Sequence, residues 1–190
     1  MKKYTKIFVV PLLVVLVSVM TFLLAACENN KNEWTRLESS ECCVAINPEL
    51  TGAYLDNHSK STVAYEEAIV YFTTADGKRT DDFGGIFIDE NGIYNICVIG
   101  NRKPVKSDYL KYKRVKNSYN LLEKIVDELG NRSQEFSIWM ASTCETCNRV
   151  LICLEEESKI DLLMAHLKVN NLFKKGTLNV FVGTNQIVSN

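Results

Sequence analysis

Residues 83–100 read FGGIFIDENGIYNICVIG, and this stretch decides the fold. Two apolar segments flank residues 90–92, and Asn-Gly between extended apolar runs is a strong signal for a β-hairpin. Gly84 and Gly85 at the entry of the first strand predict a β-bulge or a close backbone contact. The centre of the chain is therefore predicted to begin with an antiparallel strand pair.

The same arrangement returns further along the chain. A strand at residues 110–116 and a helix with Ser118 as its N-cap follow the first hairpin. A second hairpin is predicted around residues 136–154, followed by a helix with a capping box at Ser158 and a last strand. Two hairpin-plus-helix units in this order predict the α+β class, mainly an antiparallel sheet with two helices packed on one face.

The segment before residue 83 gives a weaker pattern. Residues 61–75 have apolar positions near helical spacing, with Ser61 or Thr62 as the expected N-cap, although their β-branched content leaves a strand open. Residues 28–41 are polar, acidic and without periodicity. We therefore expect residues 61–190 to form a single α+β domain, preceded by a tether within residues 27–60.

The N-terminus reads MKKYTKIFVVPLLVVLVSVMTFLLAACENN. Three lysines precede an apolar run over residues 7–26, which is the layout of a secretory signal; the run is also long enough for a retained transmembrane anchor. Residues 24–27, Leu-Ala-Ala-Cys, resemble the bacterial lipobox. The resemblance implies a lipoprotein signal peptide at residues 1–26 and a diacylated Cys27, which would anchor the chain to the cell membrane on its extracytoplasmic side.

The charge of the chain argues against nucleic acid as a partner. The formal net charge is −1, and removal of the three signal lysines leaves −4, because no acidic residue precedes Cys27. A polyanion partner would need a basic patch with interleaved aromatic residues. The densest basic stretch, residues 103–116, is expected to be an exposed strand face, with a membrane-surface contact as the alternative.

Six cysteines follow Cys27, and an exported chain with an even number of them permits disulfides. Their connectivity stays open; they are Cys42, Cys43, Cys97, Cys144, Cys147 and Cys153.

Cys144 and Cys147 form a Cys-x-x-Cys pair between two predicted strands. A thioredoxin-type pair has its first thiol at a helix N-terminus, where its pKa is lowered, and a zinc site needs two further ligands. Neither feature is evident near this pair; His58 and His166 lack a partner motif, and His166 is expected on a solvated helix face. We therefore expect a hairpin turn with a candidate local disulfide, no metal, no cofactor and no catalytic residue.

Residues 83–100, the segment YKRVKNSYNLLEKIVDEL and the strand NRVLICL together resemble secreted domains related to the propeptide of α-lytic-type serine proteases. The likeness covers about residues 83–182 and includes Asn148-Arg149-Val150. No protease domain follows in this sequence, so the resemblance implies a free-standing, non-catalytic module that binds an exported protease or peptide through edge strands. The alternative is a thiol-redox or metal-binding protein that uses Cys144 and Cys147.

Overall fold

The computed structural model describes residues 35–37 and 50–183. Within these residues the chain forms seven strands and three α-helices, so the α+β class predicted from the sequence is confirmed. The elements, in chain order, are β1 (Thr35–Leu37), α1 (Gly52–Ile69), β2 (Phe83–Ile88), β3 (Tyr94–Val98), β4 (Leu110–Arg114), α2 (Tyr119–Asn131), β5 (Ile138–Cys144), β6 (Arg149–Leu154), α3 (Ile160–Val169) and β7 (Leu178–Val182).

The first hairpin lies where the Asn-Gly signal predicts it. Strands β2 and β3 pair antiparallel, with an irregularity between Phe83 and Gly85 at the predicted bulge. Asp89 closes the turn, because its Oδ1 atom accepts hydrogen bonds from the backbone N–H groups of Asn91 and Ile93, each at 3.0 Å. Gly92 has φ +79°, a conformation that glycine adopts without the steric cost of a Cβ atom.

The strands are divided between two sheets rather than gathered in the single sheet expected from the sequence. One sheet has the order β2-β3-β4 and the other β1-β7-β6-β5. In each sheet an antiparallel hairpin is extended by a parallel strand: β4 lies parallel to β3, and β7 lies parallel to β6 after the crossover through α3. Both units therefore consist of a hairpin followed by a third strand that returns beside the hairpin's second strand.

Helix α1 begins earlier than predicted. Its N-cap is Thr51, whose Oγ1 atom accepts a hydrogen bond from the N–H of Tyr54 at 3.2 Å. The prediction of Ser61 or Thr62 as the N-cap is wrong: Ser61 is fully buried, and its hydroxyl accepts a hydrogen bond from the N–H of Tyr94 at 2.7 Å. Residues 52–60 accordingly belong to a helix rather than to a polar tether.

Helices α2 and α3 bury the apolar stripes that their sequences predict. Ser118 caps α2 through a hydrogen bond from the N–H of Leu121 at 3.3 Å, as expected. The capping box at Ser158 is wrong, since Ser158 lies in a 3₁₀ turn and α3 begins after it without a side-chain cap. The buried stripe residues are Leu122, Ile125 and Leu129 of α2, and Ile160, Leu163, Met164 and Leu167 of α3.

Helix α2 connects the two sheets. It contacts β5 and β6 of one sheet and β2 of the other. None of the helices in the described ranges is long and apolar enough to cross a membrane, and the apolar run at residues 7–26 lies outside those ranges.

Candidate functional site at the Cys144–Cys147 turn

The Cys-x-x-Cys pair lies at the tip of the second hairpin. Cys144 is the last residue of β5, the turn leads directly into β6, and no helix begins there. Cys144 and Cys147 are joined by a disulfide, with their Cα atoms 5.6 Å apart. Cys144 is buried and Cys147 is partly exposed. The pair therefore differs from a thioredoxin-type site, in which the first cysteine is presented at the start of a helix.

Asn148, directly after the disulfide, joins the turn to the other sheet. Its Oδ1 atom accepts hydrogen bonds from the N–H groups of Lys116 and Asn117 at 3.3 and 2.8 Å. Its Nδ2 group donates to the carbonyl oxygens of Gly84 and Asn117 at 3.0 and 2.8 Å, and the Nδ2 group of Asn117 donates to the carbonyl oxygen of Asn148 at 2.8 Å. The residue has φ +53°, which asparagine tolerates better than most residues.

The bonding capacity of the Asn148 amide is fully used. An asparagine side chain offers two donors and one acceptor oxygen with two lone pairs, and each of these has a backbone partner here. Asn148 itself is buried. This residue and its partners connect β2, the end of β4 and the β5–β6 turn, so the turn is an architectural joint of the fold.

The turn also contacts the β2-β3-β4 sheet through two polar contacts. The Cys97 thiol lies 3.8 Å from the carbonyl oxygen of Glu145. The Lys113 ammonium donates to the carbonyl oxygen of Thr146 at 2.8 Å.

The free thiol of Cys97, which lies against the turn, is unreactive. Burial raises the pKa of Cys97 to about 11, while nearby Lys113 opposes the increase and Glu145 adds to it. Since the thiolate is the nucleophilic form, Cys97 is protonated and unreactive near neutral pH. The described part of the chain thus places no activated thiolate at Cys97.

Burial raises the pKa of Glu145 above its ordinary value; the Ile86 N–H opposes this increase and the charge of Glu123 adds to it. The folded protein therefore holds a proton on Glu145 at pH values where the unfolded chain has lost it. Its contribution to stability is complete below the unfolded pKa and is lost as pH rises through the raised pKa.

We expect Glu145→Gln to be more stable than the wild type at about pH 8, with a difference that shrinks as pH falls toward about 4, where the wild-type carboxyl is protonated. Urea unfolding across this pH range measures the difference, and the exposed Glu66→Gln serves as the control. A wild type that becomes the more stable protein as pH rises would contradict the expectation.

A basic groove of about 280 Å³ runs beside the turn. It lies between the end of β4, the β5–β6 turn and the loop before β7. Five basic residues line it, namely Lys113, Arg114, Lys116, Arg149 and Lys175, and no acidic residue of the described ranges does; its other lining residues are Val115, Asn117, Thr146, Cys147, Asn148 and Gly176.

Two of these cations are held in place. Lys113 lies over the Phe87 ring and reaches Thr146, while the Arg149 guanidinium donates to Asn179 Oδ1 at 2.8 Å. The acceptor oxygen in each of these two hydrogen bonds is neutral. The groove is therefore suited to an anionic ligand. The sequence showed only residues 113–116 of this set, because Arg149 and Lys175 join them through the tertiary fold alone.

The other candidate residues are distributed as follows. Cys27, Cys42 and Cys43 lie outside the described residues, and Cys153 is buried in β6. The solvated position predicted for His166 is wrong: its side chain is 13% exposed, and its Nε2 atom lies 2.8 Å from Glu128. Within residues 35–37 and 50–183, no three His, Cys, Asp or Glu side chains are grouped so that they could hold a metal ion.

No protein-family model matches the chain, and a search of curated proteins finds no match.

Proposed function

We propose that this chain is a lipid-anchored, extracytoplasmic lipoprotein that acts as a non-catalytic binding module for an exported protein or peptide. The main observation behind the proposal is that the Cys144–Cys147 turn is closed by a disulfide and fixed to the other sheet by hydrogen bonds. Its disulfide is followed by an asparagine whose amide is fully bonded between the two sheets, an arrangement that suits a structural joint better than a working thiol.

Two further features support binding. Strand β4 is at the end of its sheet, and an edge strand is the element through which proteins accept an extended peptide. The basic groove lies at the end of the same strand and presents cations from three separate parts of the chain. The resemblance to protease propeptide domains points to the same kind of edge-strand contact.

The anchor is proposed from the lipobox-like residues that end at Cys27. Two acyl chains on one cysteine hold a protein stably at a bilayer, whereas a single chain holds it only marginally. We expect Cys27→Ser to abolish incorporation of an alkyne-labelled fatty acid and to release the chain from the membrane fraction. Cys42→Ser is the matched control and should keep both properties; a labelled Cys27→Ser protein would contradict the proposal.

The binding role is tested by capture of partners from the exported proteins of the host. The full chain, purified in detergent and immobilised, is compared with a Cys144→Ser/Cys147→Ser variant, and the retained proteins are identified by mass spectrometry. The proposal expects the same partner in equal amount on both surfaces, eluted by salt or peptide competition. A partner held by the wild type alone and released only by reductant would contradict it.

The alternative is a thiol-redox protein, and one observation favours it. Cys147 lines the basic groove, and neighbouring Lys and Arg side chains lower the pKa of a thiol once a disulfide is reduced. The capture experiment separates the two functions, because a redox protein would trap its substrate as a mixed disulfide through one of the two cysteines.

A further inference from the structure

We infer that the basic groove and the outer edge of β4 together form one site for an acidic peptide in extended conformation. This inference rests on the proposed binding function and specifies the chemistry of the ligand. Three observations carry it: the charge of the groove, the direction of the β4 backbone, and the origin of the cations from separate elements.

The charge of the groove is unusual for this chain. The whole sequence has a net charge of −1, yet five basic residues and no acidic residue of the described ranges line this one recess. Arg114, Lys116 and Lys175 form no ion pair with any described carboxylate. Like charges brought together in a recess repel one another, and an anionic ligand relieves that repulsion.

The backbone of β4 presents donors and acceptors on its outer side. The N–H of Val115 donates toward β3, to the carbonyl oxygen of Val98 at 2.9 Å. Since alternate residues of a strand point to opposite sides, the N–H and C=O groups of Tyr112 and Arg114 point away from β3. No described strand lies beyond β4 in its sheet. An extended peptide can therefore pair with Tyr112 and Arg114.

The outer edge leads directly into the basic groove. Lys116 is on the same side of the backbone as Arg114, and its N–H is bonded to Asn148 Oδ1 at 3.3 Å. The hydrogen bond to Asn148 therefore ends the row of unpaired backbone groups along the outer edge of β4. A peptide that pairs with Tyr112 and Arg114 would place its next residues against Lys116, Arg149 and Lys175.

Protection of an edge strand does not explain the whole arrangement. Lysines on an edge strand often serve to prevent aggregation, and Lys111 and Lys113 fit that role. Arg149 begins β6 of the other sheet and Lys175 lies in the loop before β7, and protection of the β4 edge gives no reason for either residue to line the same recess. A flat anionic membrane is also a poorer occupant than a narrow peptide, because the cations line a recess between elements.

The test uses a fluorescent peptide of about six residues in which Glu alternates with Thr or Val, a length typical of one strand. Its control replaces each Glu by Gln. Binding to the full chain in detergent is followed by anisotropy. We expect the acidic peptide to bind, the neutral peptide to bind at least about tenfold more weakly, and affinity to fall as salt rises from about 50 to about 500 mM.

Matched variants locate the site. Lys116→Gln/Lys175→Gln should weaken the acidic peptide by at least about tenfold, whereas Lys78→Gln/Lys124→Gln, the same charge change outside the groove, should stay within about twofold. Hydrogen exchange at the Tyr112 and Arg114 amides should slow on binding, which a purely ionic contact would not produce.

Other outcomes overturn the inference. If the neutral peptide binds as tightly as the acidic one, charge does not determine binding. If both double variants lose the same affinity for the acidic peptide, the peptide does not bind in the groove. Groove-dependent binding of vesicles with anionic lipid, or of inorganic phosphate, without binding of the peptide would assign the groove to a membrane or a free anion. If the captured partner is still retained by Lys116→Gln/Lys175→Gln, the binding function stands and only this site for it fails.

Discussion

Asn148→Ala should destabilise the protein by about 4 kcal/mol, the largest effect that we expect from any single substitution. The change removes all the hydrogen bonds of the amide at once. The N–H of Asn117 and the carbonyl oxygens of Gly84 and Asn117 lose their bonds in a buried location, and each buried group without a partner costs about 1 to 3 kcal/mol. Alanine at φ +53° adds about 1 kcal/mol of backbone strain.

Urea unfolding followed by circular dichroism measures this loss. Asn171 is the matched control, because it is an exposed asparagine at φ +56°, and Asn171→Ala should cost only the backbone strain of about 1 kcal/mol. Asn148→Gly removes the strain but not the loss of hydrogen bonds, so it should recover about 1 kcal/mol. An Asn148→Ala protein no less stable than Asn171→Ala would show that the turn is held by something else.

Gly92→Ala should be the second most damaging change, at about 3 kcal/mol. A Cβ atom at Gly92 would lie 2.6 Å from the carbonyl oxygen of Tyr54 and 3.2 Å from the backbone nitrogen of His58. Both atoms belong to the backbone of α1, so the helix itself would have to move away from the hairpin. The turn and the helix are also joined by a hydrogen bond from Asn57 Nδ2 to the carbonyl oxygen of Asn91 at 3.1 Å.

Gly77 supplies the matched control for this prediction. It has φ +81°, nearly the same as Gly92, but a Cβ atom added at Gly77 would have no described atom within 4 Å beyond its chain neighbours. Gly77→Ala should therefore cost only the strain of a positive φ, about 1 kcal/mol. The difference in unfolding free energy between the two variants measures the effect of the contact with α1. Equal losses of stability would mean that α1 moves away from the added Cβ atom without a free-energy cost.

The local features of the fold were readable from the sequence, because their causes are local. The Asp89–Gly92 turn follows from an Asx hydrogen bond and a glycine with positive φ, both within five residues. The apolar stripe of α3 and the Ser118 cap of α2 are set by helical spacing. These are the elements that the prediction placed correctly.

The start of α1 was missed because tertiary context overrides the local signal. Ser61 looks like an N-cap, but its hydroxyl accepts the Tyr94 N–H in the interior. Val63, an apolar residue that helical spacing assigns to the buried stripe, is exposed. The division into two sheets was missed for a related reason, since the parallel pairing of β3 with β4 depends on contacts across an intervening loop.

The candidate site was only half visible in the sequence. Cys144 and Cys147 stand out as a motif, and residues 113–116 stand out as a basic stretch, but nothing in the sequence links the two. Asn148 looked like the first residue of a strand, whereas its side chain is the joint between the sheets. Arg149 and Lys175 become part of one groove only when that joint is formed.

The central claim is that the Cys144–Cys147 turn is structural and that function lies in binding. The most direct test is the pH dependence of alkylation of the two cysteines after reduction, read residue by residue by mass spectrometry with Cys97 as the unreactive reference. We expect alkylation of both cysteines to slow as pH falls below about 8.5, the ordinary value for a thiol that no neighbouring group activates. A thiolate at either position that persists well below about pH 7 would contradict the claim and assign the turn to thiol chemistry.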